Sequence, residues 1–214
     1  HTRCSRDWSS DVCSSDLDVP FDGFTDAVVK RASEKFGVSD DEMKATFPNG
    51  PASLVENFSE MCDGEIARAM AGSNITSVRQ KVTRAMRARL EAMAPHKHAA
   101  RKAASFLMRP QHAALGARLL ARTADAIWRE VGDRSTDFNF YSKRAIASGV
   151  YGATFVYWLS DSSEGSEKTW AFLDKRIADV MRFEKAKAQA RGAAKFVPDP
   201  VKILAALRGV VRLR

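Results

Sequence analysis

The chain has 214 residues, 34 Lys and Arg against 26 Asp and Glu, a formal net charge of +8 and 45% hydrophobic residues. That length is enough to bury a core in one domain or two small ones. Of the 3 cysteines, Cys4 and Cys13 lie near the start, and with residues 1–17 set aside Cys62 alone is left, so no disulfide framework is possible. The charge is uneven: residues 18–75 carry 5 basic and 11 acidic side chains, residues 76–122 carry 11 and 1, and residues 182–214 carry 9 and 2. An acidic head therefore precedes a basic middle and a basic tail, a distribution that bears on partners rather than on fold.

Residues 1–17, "HTRCSRDWSSDVCSSDL", lack the apolar stretch of a secretory signal. Cys4 and Cys13 are too far apart for the close ligand pairs of a zinc site. Asp7, Asp11 and Asp16 argue against a mitochondrial transit peptide. With permitted codons, Asp7–Leu17 back-translates to a string that resembles a common sequencing-library adapter. The expectation is a non-native segment over 1–17, to be left out of any redox or metal argument.

From Asp18 onward no stretch alternates with the period of a strand and alanine is abundant, so the expected class is all-α. "FTDAVVKRASEKFG" puts Phe24, Ala27, Val28 and Ala32 on one helix face and stops at Gly37. "SDDEMKATF" predicts a short helix capped by Ser39, with Asp40, Asp41 and Glu42 in its first turn. After the turn "PNGP", Leu54, Val55, Phe58, Met61, Cys62 and Ile66 keep helical spacing up to Gly72, with Cys62 as a small core residue. Thr76 or Ser77 caps the next helix, whose stripe is Val78, Val82, Met86, Leu90 and Met93. Arg79, Arg84, Arg87 and Arg89 fall largely off that stripe, as a solvated face or as a surface for anionic headgroups or an acidic partner. Pro95 and Pro110 punctuate, each tolerated in a first turn. "QHAALGARLLARTADAIWREVG" is a helix ending at Gly132, and "DRSTDFN" offers caps for another that runs through Leu159. Beyond the loop "SDSSEGS", Trp170, Leu173, Ile177, Val180 and Met181 stripe a further helix.

Two segments stand out. "IASGVYGATFVYWL" (146–159) is apolar or small on every face, too short to span a bilayer, and is expected to be buried on all sides as a central helix or at a subunit interface. Gly149, Gly152 and Ala153 would let another helix approach closely. In "DPVKILAALRGVVRLR", Ile203, Leu204, Leu207, Val210 and Val211 gather opposite Lys202, Arg208 and Arg212. That is the pattern of a basic amphipathic helix lying on an anionic membrane surface, or of a helix docked on the protein's own core. The expected divisions are a helical region at 18–72, a second helical region at 73–190, and a basic linker with a membrane-contact helix at 191–214. The membrane-contact residues would be Lys202, Ile203, Leu204, Leu207, Arg208, Val211 and Arg212.

Catalytic and metal signals are weak. His96 and His98 are two apart, which does not bring ligands to one helix face, and no Cys or acid cluster joins His112. There is no Gly-rich phosphate loop after a strand and no Glu-x-x-His pair. The expectation is a non-enzyme without metal or cofactor.

"TDAVVKRASEKFGVSDDEMKATFPNGPASLVENF" has the layout of the DNA-reading end of the TetR regulators: a helix ending in Gly37-Val38-Ser39, a short helix, then an aromatic-Pro turn. A regulator binding a hydrophobic ligand is therefore one reading. A recognition helix must approach phosphates, however, and this one sets Asp40, Asp41 and Glu42 against a single Lys44. A retained fold without nucleic-acid binding is expected.

The stretch "RTADAIWREVGDRSTDFNFYSKRAIASGVYGATFVYWLSDSSEGSEKTWAFLDKRIADVM" resembles the TetR-like lipid-binding accessory proteins of ubiquinone biosynthesis. The likeness is most specific at Gly132-Asp133, Ser135–Asn139, Tyr141, Lys143-Arg144, Thr169-Trp170 and Phe172-Leu173. "VPFDGFTDA" and "RARLEAMAPH" resemble the bacterial branch of that family. The resemblance implies an all-helical, TetR-like homodimer without catalysis of its own, peripheral on the cytoplasmic side of the inner membrane, with 18–72 as its degenerate helix-turn-helix-like region and 73–190 as its lipid-binding and dimerisation region. It implies a bound isoprenoid quinone or related lipid, for which Val150, Tyr151, Phe155, Leu159 and Trp170 are the candidate lining. It also implies docking of the demethoxyubiquinone hydroxylase through Asp137, Phe140, Tyr141 and Arg144, with Ile127 and Trp128 nearby. Phe140 stands where the family usually has Trp, which keeps an apolar anchor and loses an N–H. The plainer reading of Phe140 and Tyr141 is core packing. Residues 1–17 occupy the place of the helix that opens TetR-like domains.

Overall fold

Helix ends in this chain are specified by its own short-range chemistry. A computed structural model describes residues 19–37, 39–133 and 138–194. A short helix α1 (Val19–Asp22) precedes α2 (Asp26–Phe36), whose N-cap Thr25 accepts from the Val28 N–H and whose stop, Gly37, has φ of 63°. Ser39 caps α3 (Asp40–Thr46) in a full capping box with Glu42. Gly50 turns the chain at φ of 54°, a conformation that favours glycine, and a Cβ there would press on Asp26 Oδ1 at 3.2 Å. Pro51 then opens α4 (Pro51–Met70), where its missing N–H is harmless.

The remaining elements are α5 (Val78–Met93), α6 (Lys97–Leu107), α7 (Ala113–Val131), α8 (Phe138–Ser160) and α9 (Glu167–Ala194), and no strand occurs among the described residues. Helix α7 ends as expected, on Gly132 with φ of 87°. Its start is two residues later than "QHAALG" implies, because Pro110–His112 form a 3-10 turn in which His112 stacks on Phe106 at 4.0 Å between ring centres. Helix α4 packs on α5 and α7, α7 packs on α5 and α8, and α1 covers α6. The core is Val28 of α2, Leu54, Val55 and Ile66 of α4, Met86 and Leu90 of α5, Ile127 of α7 and Trp158 of α8.

The C-terminal end of α8 is closed by cations from α6. Lys97 Nζ donates to the Asp161 carbonyl at 2.5 Å, and Arg101 donates twice to the Leu159 carbonyl at 3.0 and 2.7 Å, where the helix dipole is negative. The Asp161 carboxylate accepts from the N–H and hydroxyl of both Ser163 and Thr169, which fastens the start of α9. Burial alone would raise its pKa, but the bonds from Thr169 and Ser163 hold it well below the usual carboxylate range.

Several sequence expectations are corrected here. Met61 lies at the exposed edge of α4, and Val78 is exposed in a first turn where Arg79 and Gln80 are exposed too. Arg89, expected off the apolar stripe of α5, is buried, because α4 and α8 supply polar partners for it. In α8, Ala147, Tyr151, Thr154 and Trp158 are buried, while Gly149, Ala153 and Val156 are exposed. Within one chain the helix is thus buried on one face and open on the other.

The described residues fall into two compact units, divided between Asp174 and Lys175, and α9 runs from the first into the second. In the second unit Ile177 is buried, Val180 is half-buried and Met181 is exposed, so the expected stripe fades along the helix. Among the described residues no helix is long and apolar enough to cross a membrane. Residues 1–17, Asp137 and the tail from Lys202 to Arg212 lie outside the described residues.

Candidate functional site

A cavity of about 250 Å³ opens inside the first unit between α4, α5, α6, α7 and α8. Its walls are apolar: Val55 and Phe58 from α4, Met93 from α5, Leu107 from α6, Leu119 from α7, Phe155 from α8. Gly152 also lines it, and a Cβ there would meet the Leu120 side chain at an ordinary contact distance of 3.5 Å across the α7–α8 contact. Two exposed apolar residues, Met108 and Val156, also line it, so it has an apolar mouth.

The floor is polar. Arg89, 5% exposed, donates from Nε to Asp63 Oδ1 at 2.5 Å, from Nη1 to the Tyr151 hydroxyl, and from Nη2 to Ser59 Oγ at 2.8 Å. Thr123 donates its hydroxyl to the same Asp63 oxygen at 3.0 Å. Burial pulls the guanidinium toward its neutral form, but Tyr151 and Asp63 outweigh that and leave its pKa above the ordinary arginine value. Burial pushes the Tyr151 hydroxyl up to about 12, against the opposing pull of Arg89. Burial likewise pushes the Cys62 thiol up to about 11, which suits an inert core residue.

An open groove of about 600 Å³ lies on the other side of Asp63. It is lined by charged residues of α4 and α7, among them Glu60, Arg122 and Asp125, and by Phe140 and Arg144 of α8. Arg144 lies 3.4 Å above the Phe140 ring centre and donates to Asp125 at 2.8 Å and to Asp133 at 3.3 Å. Tyr141 meets the Phe140 ring edge-on at 5.1 Å and is 70% exposed. Trp128 is half-buried, its indole N–H donating to the Lys143 carbonyl at 3.1 Å. Among the described residues no three His, Cys, Asp or Glu side chains gather as a metal site.

Residues 113–184 match the family described as COQ9. That segment is similar to the COQ9 family. It is 29% identical over 182 residues to the mitochondrial ubiquinone biosynthesis protein COQ9 of Rattus norvegicus, covering 81% of this chain and 58% of that protein. It is 31% identical over 144 residues to that of Xenopus tropicalis, covering 63% and 45%. The chain thus spans about half the length of the curated COQ9 proteins it matches. A solved structure, the TetR transcriptional regulator from Nitrosomonas europaea, superposes with a TM-score of 0.64 at 17% identity, over 81% of this chain and 95% of that one. The fold is TetR-like and all-α.

The structure separates residues that spacing and residue type group together. Tyr151 and Phe155 line the cavity. Val150, Leu159 and Trp170 are not in its lining: Val150 and Leu159 are half-buried elsewhere on α8, and Trp170 lies under Arg87 at 4.5 Å with its N–H on the Gly165 carbonyl. A helix turns its side chains through all directions, so one continuous apolar run cannot all face one cavity. Phe140, Tyr141 and Arg144 come together in one corner, and Trp128 reaches the carbonyl of the adjoining Lys143. Ile127 is fully buried. The residues missed were Arg89, Ser59, Asp63 and Thr123. The available signal was the arginine at the edge of an apolar stripe with a lone Asp63 beside Cys62 in the facing helix.

Proposed function

We propose that this protein takes part in ubiquinone biosynthesis as a non-catalytic accessory protein, binding an isoprenoid quinone intermediate in the α4–α8 cavity. The single observation that carries the reading is that cavity: apolar walls, an apolar mouth and a small polar floor inside a COQ9-related segment. A long apolar tail suits such walls, and few polar groups suffice to orient a head. The corner formed by Trp128, Phe140, Tyr141 and Arg144 is the proposed docking surface for the demethoxyubiquinone hydroxylase, since it joins an exposed aromatic to a clamped arginine. The open small-residue face of α8 is the proposed homodimer contact. Lys202, Arg208 and Arg212, with Ile203, Leu204, Leu207 and Val211, would hold the protein peripherally on an anionic membrane.

Lipid extraction and mass spectrometry of the purified full chain test this directly. Co-purified quinone or isoprenoid lipid is the expected result, and empty protein from several hosts with a ubiquinone pathway would count against it. A second reading, a TetR-type regulator, draws on the capped α2–α3 pair. Asp41 and Glu42 are exposed on α3 beside one exposed Lys44, a poor surface for phosphates. A gel-shift screen that gives a specific, salt-sensitive operator shift would favour the regulator.

A further inference from the structure

The two hydroxyls at the cavity floor are only half used. Tyr151 and Ser59 each accept a hydrogen bond from Arg89, and each retains a proton to donate. Among the described residues neither proton meets a protein acceptor, whereas the Thr123 hydroxyl spends its own on Asp63. Tyr151 is 3% exposed and Ser59 9%, and both line the cavity. A buried donor without an acceptor is unfavourable, and a bound guanidinium polarises each hydroxyl toward donating.

We propose that the cavity floor is a binding site for the oxygen end of a neutral apolar molecule, with the Tyr151 and Ser59 hydroxyls donating to a carbonyl-type oxygen. This rests on the lipid-binding reading of the cavity and adds which end of the ligand enters first. Neutrality follows from charge: Asp63 already balances Arg89 at 2.5 Å, so a carboxylate at the floor would be a buried anion without a counter-charge. Size sets the rest of the pose. About 250 Å³ holds roughly eight groups of ~30 Å³ each, the head and first carbons, and a longer chain leaves past Met108 and Val156.

The test is displacement of the neutral dye N-phenyl-1-naphthylamine from the full chain by 2-dodecanone, dodecane and dodecanoate at matched free concentrations. The ketone is expected to displace the dye at a concentration about tenfold lower than dodecane, and lower than dodecanoate. Ser59→Ala and Tyr151→Phe should each shrink the ketone-over-dodecane ratio several-fold while dodecane itself stays within about twofold. Ser59→Ala serves alone if Tyr151→Phe does not fold. Equal displacement by ketone and alkane, an unchanged ratio in Ser59→Ala, or preference for dodecanoate would overturn the oxygen site and leave the apolar cavity standing. Failure of the dye, the alkane and the ketone to bind would overturn both.

Discussion

Arg89 on α5 and Arg144 on α8 use the same chemistry in two places. Each guanidinium binds a carboxylate and lies over an aromatic ring, Tyr151 at 5.0 Å for Arg89 and Phe140 at 3.4 Å for Arg144. Water separates them. The Arg89 and Asp63 side chains are 6% and 15% exposed, whereas Asp125, the nearer partner of Arg144, is 43% exposed. A pair that is out of water must be matched in charge and hydrogen bonds or it destabilises the fold, and what it leaves unmatched becomes available to a ligand. A pair at the surface costs little to rearrange and can be remade against a partner. Asp63 belongs to both regions: its carboxylate holds Arg89 at the cavity floor, and the residue also lines the groove beside Phe140 and Arg144.

The comparison can be broken most directly at Arg89. Arg89→Met leaves Asp63 with Thr123 alone and should cost about 3–5 kcal/mol in urea unfolding. Adding Asp63→Leu should recover more than half of that, because the uncompensated charge goes with it. If Arg89→Met costs no more than Arg144→Met, burial is not what distinguishes the two arginines. Arg144→Met should cost about 1–2 kcal/mol: Asp125 is solvated, and the buried Asp133 keeps Lys143 at 2.7 Å.

That contrast also explains what the sequence made legible. Caps and stops such as Ser39, Gly37 and Gly132 were readable because their chemistry is confined to a few neighbouring residues. The all-α class followed from spacing alone. Arg89 was misread because its burial depends on Asp63 and Ser59, 26 and 30 residues away, and on Tyr151, 62 away. Tyr151 and Phe155 of the apolar run line the cavity, whereas Trp170, alike in residue type, sits under Arg87. Spacing within one helix says which residues share a face and leaves open which neighbour that face meets.

A pH titration sharpens the difference at the floor. Burial raises the Tyr151 hydroxyl to about 12, so its contribution to stability is fully present below the unfolded value of about 10 and is lost as pH rises through 12. Stability should fall across that window, and Tyr151→Phe should remove part of the slope, on the order of 1 kcal/mol. Cys62, raised to about 11, contributes a separate loss that begins lower and persists in the Tyr151→Phe chain. An identical slope with and without the hydroxyl would show that the floor does not hold Tyr151 in its neutral form.

The smallest effect on stability belongs to Tyr141. It is 70% exposed and touches the fold through an edge-on contact with Phe140, so Tyr141→Ala should stay within about 0.5 kcal/mol of the parent. If the corner is the docking surface proposed for it, the same substitution should weaken binding of the hydroxylase by about tenfold or more, because a projecting aromatic is the kind of side chain that carries interface energy. Trp128 gives the contrast within the corner: its indole N–H holds the Lys143 carbonyl, so Trp128→Ala disturbs the α7–α8 junction itself. A Tyr141→Ala chain of unchanged stability and unchanged hydroxylase affinity would remove the exposed aromatic from the docking surface proposed around Arg144.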